Sequence, residues 1–386
     1  SSAAALLFPK HIERRLAPLR NKAVQKKLSK KRHWRLLQVE SAIACNLKCV
    51  MCPWREITKN SANRGLMSQA VWESIRPYLT EIKSIDFTGG GEPLLQPKLP
   101  EWIAEANAHG CETGFLSNGL LLKKEKLQRI LDAGVDWICI SMDGATTEVY
   151  EKIRIGSNFE RVCQNMARIA DLRTGNVPKT MINFVLMQMN FRQVEDIVRL
   201  AARLGIDQVN FKQCDVIRGE SGKGYGLFGT EETKEIRRLK KSLEKARRLA
   251  KKLNVMTTAF SFTPDEQPVC DQDPRNSMFI RYDGSVAPCI NLAIGGPTTF
   301  LGNDVIMPSV HYGRLPDDDL MDLWQSGTCK FYRQQFEHRV KVYDGVIIQR
   351  LMGASGSNRL KALQQAQKAM PEPPQGCNVC HYLYDI

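Results

Sequence analysis

This chain of 386 residues is poor in histidine, has fewer acids than bases and contains no long apolar run. No stretch approaches the 18 or so apolar residues that a membrane-spanning helix needs, so none is expected. The apolar run Ala3–Phe8 is too short for a secretory signal and no basic region precedes it. Twelve cysteines without such a signal argue against a disulfide scaffold and for a reducing cytoplasm. The six histidines add little to metal binding, because His33 and His109 stand far from the nearest cysteines at no ligand-like spacing. The length suits one large domain with an appendage.

The shortage of acid is local. Residues 1–35 hold eleven Lys or Arg against one Glu, and residues 234–252 hold ten bases against two acids, so these two stretches exceed the net charge of +14. In the second stretch Ile236, Leu239, Leu243, Ala246, Ala250 and Leu253 recur at helical spacing, with Thr230 as a cap and Glu231 and Glu232 in the first turn. It reads as a helix with a solvated basic face rather than a nucleic-acid site. The first stretch has a rough apolar stripe, Phe8, Ile12, Leu16 and Leu19, interrupted by Pro18. It is a basic helical extension that either packs across the fold or makes peripheral contact with an anionic membrane or acidic partner.

Against these absences stand three cysteines, Cys45, Cys49 and Cys52, spaced CxxxCxxC. Structural zinc takes four ligands, and no fourth lies nearby in sequence. A [4Fe–4S] cube held by three thiolates keeps one iron open to a substrate or cofactor. About 35 residues on, a β-prone run ends in Thr88-Gly89-Gly90-Gly91-Glu92-Pro93. Three glycines allow a ligand to approach the backbone closely, and the Glu92 carboxylate is suited to an ammonium group.

Together the two motifs closely resemble the radical S-adenosylmethionine (SAM) superfamily over roughly residues 36–255. The resemblance implies that Gly89, Gly90, Gly91 and Glu92 hold the SAM amino group. It implies that Ser141 and Arg154 meet the methionine carboxylate and ribose, with Ser117 and Asn118 as a further polar strand tip. Where the superfamily often has an aromatic residue beside adenine, this chain has Met51, with Trp54 just beyond. Met51 can cover the adenine face through its polarizable sulfur.

Strands are expected near 36–43, 84–88, 112–117, 136–142, 180–187 and 207–213. Helices are expected over 69–81, 97–109, 122–133, 158–172, 191–204 and 230–253. Six β-then-α units require a parallel sheet, which a doubly wound fold would satisfy equally. The resemblance implies an α/β partial (β/α)6 TIM-type barrel over residues 36–258, with its chemistry at the strand C-terminal ends.

A second constellation follows in residues 259–386. Cys270 is separated by 13 residues from Gly284, four more residues separate Gly284 from Cys289, and Cys377 and Cys380 form a CxxC after an 87-residue gap. Tyr282–Ser285 reads as a tight hairpin turn. On spacing alone, a zinc ribbon competes with an iron–sulfur cluster. The pattern resembles the twitch domain, the short form of SPASM, which implies an auxiliary [4Fe–4S] cluster on Cys270, Cys289, Cys377 and Cys380. Cys329 reads as a buried thiol or a substitute ligand. In the gap, Leu320–Trp324 and Leu360–Met370 look helical, and Gly353–Ser357 looks like a hinge.

Two [4Fe–4S] clusters and SAM are thus the implied cofactors. A four-thiolate second cluster has no place for substrate and suits electron transfer, which favours a net oxidation by a radical SAM oxidoreductase. The expected substrate is a small or lipid-like molecule, anionic if the basic segments touch it. A ribosomal peptide is the alternative substrate, and a non-catalytic iron–sulfur carrier is the rival class. A flavodoxin- or ferredoxin-type protein would be the electron donor, and no nucleic-acid partner is expected. Lys212 and Asp215, at the end of the sixth strand, are candidates to take a substrate proton, and each is equally a salt-bridged rim residue.

Overall fold

The computed structural model describes residues 32–57, 65–214, 224–227, 234–352 and 359–386. Seven parallel strands succeed one another: β1 (Leu36–Val39), β2 (Ser84–Asp86), β3 (Glu112–Ser117), β4 (Trp137–Ser141), β5 (Lys179–Leu186), β6 (Gln208–Gln213) and β7 (Met256–Thr258). Helices cross between them, as parallel pairing demands, and the result is a partial (β/α) barrel. The seventh strand follows helix Lys234–Lys252 and pairs Asn210 with Thr258. At three residues it is too short to show as a periodic run.

Alternation along each strand sets the two faces of the sheet. Leu37, Val39, Ile85 and Phe87 are fully buried toward the helices. Phe87 lies 5.7 Å from Trp72, which stacks at 5.1 Å on Trp102 of helix Leu99–Ala108. The intervening Gln38, Glu40 and Asp86 therefore point to the other face, the barrel lumen.

Helix Gln69–Ile75 begins on Ser68, whose side chain accepts from the Val71 amide, and tightens to a 3-10 turn over Arg76–Glu81. Pro77 lacks the amide needed to continue the α-helix, so the expected helix over 69–81 divides in two. Helix Phe159–Leu172 is capped by Asn158. Helix Thr147–Ile153, absent from the expectation, inserts after β4. Helix Lys234–Lys252 buries Ile236, Leu239, Ala246 and Ala250, while Leu253 lies beyond its end and is exposed. Thr230, its expected cap, lies outside the described residues, as do Asp215, residues 1–31 and the expected hinge at 353–357.

The sheet does not stop at the barrel. Strand β8 (Ser277–Ile280) pairs in parallel with the free edge of β1, Gln38 opposite Phe279. β9 (Ser285–Ala287) returns antiparallel. Between them Gly284 takes φ +87° and leaves no room for a Cβ, which would fall 2.0 Å from the Leu315 carbonyl oxygen. A separate hairpin follows, β10 (Gly296–Phe300) and β11 (Asn303–Met307). β12 (Gly313–Arg314) then closes one sheet of ten strands.

The gap before Cys377 is mostly helical. Asp319 caps helix Leu320–Gln325, and helices Gly327–Met352 and Arg359–Ala369 pack together. The 26-residue helix Gly327–Met352 was not anticipated. It buries Cys329, Tyr332, Phe336, Arg339, Val340 and Tyr343, a three-and-four spacing that was open to reading.

Candidate active site

Beyond Val39 the chain leaves the sheet and enters the cysteine loop, which three neighbouring segments fix. The Lys48 and Val50 amides donate to Ile155 and Ile153 at 2.9 and 3.0 Å, tying the loop to the end of helix Thr147–Ile153. The Glu92 amide donates to the Ala44 carbonyl at 2.8 Å. The glycines leave no space to spare. A Cβ on Gly89 would fall 2.3 Å from Glu40 Cγ, on Gly90 2.5 Å from the Trp54 ring, and on Gly91 2.4 Å from the Ala44 oxygen. The backbone of the glycine run thus lies directly against the cysteine loop.

Glu92 is buried, and its carboxylate is occupied within the chain. It accepts from Ser117 Oγ at 2.8 Å, the Asn118 amide at 2.8 Å and the Leu94 amide at 3.0 Å. Asn118 in turn donates to Asn46 Oδ1 at 2.9 Å and stands 4.0 Å from Cys45 Sγ. Gly89–Glu92, Ser117–Asn118 and Cys45 are therefore one connected structure. Glu40, at the end of β1, was not singled out from sequence. Its carboxylate accepts from the Gly90 amide at 2.8 Å and the Tyr282 amide at 3.4 Å, with Arg281 at 3.8 Å.

Arg154 lies buried between Asp143, 2.6 Å away, and Cys49 Sγ, 3.7 Å away. Burial opposes its charge, but Asp143 and Cys49 outweigh it and the guanidinium pKa rises. Arg154 Nε is buried without a partner among the described residues. Asp143 carries no motif signal; it shows only as the residue two beyond Ser141. Ser141 ends β4 opposite Asn183 and is buried. Met51 joins Ile153, Met187, Cys214, Val185 and Tyr225 in an apolar patch beside the loop. Lys212 is exposed on β6, and no ion pair of its own is seen among the described residues.

None of the twelve cysteines forms a disulfide. Burial, then Glu92 and Cys49, pushes Cys45 up to about 11, and burial, then Cys49 and Cys45, pushes Cys52 up to about 12. Cys49 also rises, held down only in part by Arg154. Cys49 acts on both Cys45 and Cys52, and Cys45 acts on Cys52, so the three thiols lie within electrostatic reach; a cationic centre placed among them would oppose the rise and release their protons. The residues fit an iron–sulfur cluster.

The distant cysteines do the same. Cys270 is raised by burial, then by Cys289 and Cys380; Cys377 is raised by burial, then by Cys270, Cys289 and Cys380. Asn291 Nδ2 stands 3.6 Å from Cys380 Sγ. Cys329, fully buried, responds instead to Arg333, Tyr312 and Lys330. Arg339 joins the segments that carry these cysteines. Fully buried, it pairs with Glu266 at 2.6 Å and donates to the Gln267, Pro268 and Pro371 carbonyls.

Residues 39–210 match the Radical SAM superfamily, and residues 270–343 match SPASM, an iron–sulfur cluster-binding domain. The second description favours iron–sulfur over the zinc that spacing left open; Cys377 and Cys380 fall beyond the matched span. The chain is 24% identical over 305 residues to a tungsten-containing aldehyde ferredoxin oxidoreductase cofactor-modifying protein of Pyrococcus furiosus, covering 77% of this chain and 82% of that one. It is 30% identical over 176 residues to an AdoMet-dependent heme synthase of Methanosarcina barkeri, about half of whose length is spanned (48%). Among solved structures, Streptococcus suis SuiB bound to S-adenosylmethionine has a TM-score of 0.57 at 16% identity, over 86% of this chain and 75% of that one. Native anSMEcpe with bound AdoMet has a TM-score of 0.57 at 17% identity, over 87% and 95%. At these identities the structural likenesses show a common fold.

Proposed function

From a chain that carries a radical SAM domain and a SPASM iron–sulfur domain, we propose an oxidoreductase that removes a hydrogen atom from a substrate carbon and completes a net oxidation, by dehydrogenation or bond formation. When bound, the first cluster and SAM supply a 5′-deoxyadenosyl radical, and the second cluster supplies a one-electron acceptor or relay. Cys45, Cys49 and Cys52 would hold the first cluster, and Cys270, Cys289, Cys377 and Cys380 the second.

The remaining residues bind, orient and shield. Gly89–Gly91 offer bare backbone to the SAM amino group, and the Glu92 carboxylate beside them is held in place by Ser117, Asn118 and Leu94. Glu92 positions the motif, and its Oε2, which accepts only from Asn118 among the described residues, keeps capacity to accept from the ammonium. Arg154 places a fixed positive charge beside Cys49 and keeps a free Nε–H for an acceptor on SAM. Met51 and Trp54 supply apolar cover, and Ser141 and Asn118 supply polar contacts. The observation that carries this reading is the single hydrogen-bonded structure joining Cys45, the glycine run and the β3 tip.

The substrate reading keeps a small or lipid-like molecule first. A non-peptide substrate is supported by the Pyrococcus relative, whose name describes cofactor modification. SuiB, solved with its precursor peptide, supports a peptide as the second reading. The donor would be a flavodoxin- or ferredoxin-type protein. No helix among the described residues is long and apolar enough to cross a membrane.

Iron analysis tests the two-cluster assignment. Two cubes predict about eight irons per reconstituted chain. The double variant Cys377→Ala/Cys380→Ala should hold about half of that while still binding SAM. Half-loading in the parent together with stoichiometric zinc would remove the second cluster from the account.

A further inference from the structure

Two hydrogen-bond acceptors stand side by side in the barrel lumen with no donor among the described residues. Gln38 on β1 and Asp86 on β2 are opposite each other in the sheet register, and both alternate with residues packed against the helices. Thr88 fixes the orientation of both. Its carbonyl accepts from Gln38 Nε2 at 3.0 Å. That contact identifies the amide nitrogen and turns Oε1 away, where it is buried and unpartnered. The Thr88 amide donates to Asp86 Oδ1 at 3.0 Å, and its hydroxyl donates to the same oxygen. The hydroxyl oxygen itself accepts from the Leu116 amide at 2.9 Å, which fixes the arrangement further. No hydrogen bond to Asp86 Oδ2 is seen among the described residues, and Asp86 is only half-buried by surface exposure.

An aromatic wall adjoins this pair. Gly114 is the register partner of Asp86 on one side and of Trp137 on the other. A Cβ on Gly114 would fall 2.1 Å from the Trp137 ring, so the ring lies across the glycine toward β2. A carboxylate oxygen, an amide oxygen and an indole face all favour the same guest. The buried Gln38 Oε1 is costly to leave unpaired, the Asp86 carboxylate adds a negative charge beside it, and an indole face attracts cations.

We propose that the lumen floor between Gln38, Asp86 and Trp137 is a substrate subsite for a cationic, donor-bearing group, an amine in its protonated form. The inference rests on the reading above that the lumen receives a substrate, and it deepens it. Burial raises Asp86 to about 7 against the pull of the Thr88 hydrogen bonds, consistent with a carboxylate awaiting a counter-charge. Cys139 on β4 is the titratable neighbour that feels Asp86, and Lys212 and Arg154 act on the same thiol. An anionic substrate group would have to lie elsewhere, toward the rim where Lys212 is exposed.

The test measures binding to the reconstituted full chain with SAM present. Putrescine serves as a free amine, N-acetyl-lysine methylamide as a peptide-borne amine, and succinate as the anionic control. Asp86→Asn keeps Oδ1 for Thr88 and turns only the free position into a donor. We expect at least one amine to bind and succinate not to, with amine affinity falling at least tenfold in Asp86→Asn while SAM affinity stays within twofold. Preference for one amine assigns the source of the cation. Failure of both amines to bind, or equal binding by the variant, overturns the subsite and leaves the SAM chemistry intact. A parent chain that does not bind SAM would instead overturn the reading beneath it.

Discussion

Arg339 holds a charge away from all water and uses it to join two distant segments. One precedes Cys270 and the other precedes Cys377, and both supply carbonyls to its guanidinium. Arg339→Met keeps the bulk but orphans those oxygens and Glu266, which should cost on the order of 3 kcal/mol. Anaerobic denaturation should show that loss, and iron should leave the second site before the first. Glu40 makes the equivalent link on the other side, between Gly90 and Tyr282. Burial raises its carboxyl to about 7. The folded state then holds the proton more tightly than the unfolded one, so the stability contribution is full below the unfolded pKa and fades as pH rises through about 7. Glu40→Gln should flatten that part of the pH profile by up to about 3 kcal/mol. Measuring urea midpoints of the apoprotein at pH 5 and pH 8 checks the sign.

Neither residue announced itself in the sequence. Cys45, Cys49, Cys52 and Gly89–Glu92 were legible because close spacing carries their chemistry. Glu40 acts on partners 50 and 242 positions away, and Arg339 on one 73 away, separations at which no local pattern exists.

At the scale of elements, alternation and helical spacing gave the parallel strands and most helices, within a few residues at each end. They missed β7 and helix Thr147–Ile153, both short, and helix Gly327–Met352, although its buried positions recur at helical spacing. The glycine run shows a more demanding fit than its sequence discloses. A Cβ at Gly91 would press on both the Ala42 and Ala44 carbonyl oxygens, at 2.5 and 2.4 Å. Backbone atoms cannot swing aside as a flexible side chain can. Gly91→Ala should therefore shift the cysteine loop and weaken SAM binding at least tenfold by calorimetry, with little change in far-ultraviolet circular dichroism.

For the whole molecule, the appendage is less separate than the two cysteine constellations suggest. Strand β1 lies between β2 of the barrel and β8 of the second constellation, so one strand supports both. With Glu40 and the β1–β8 ladder crossing the junction, the two parts should unfold together. Fluorescence and circular dichroism should give coincident urea transitions in the reconstituted chain, whereas two resolved transitions would mean independent domains. The extended sheet was hidden from sequence because a parallel pairing across some 240 residues leaves no spacing to read.

In the proposed function, the Cys45–Cys49–Cys52 loop and the glycine run form the site where SAM is cleaved reductively. The direct measurement incubates the anaerobically reconstituted chain with SAM and dithionite and quantifies 5′-deoxyadenosine and methionine by mass spectrometry. The two products should form in equal amounts and be lost in Cys45→Ala. No 5′-deoxyadenosine from a fully iron-loaded parent chain would contradict the proposed function.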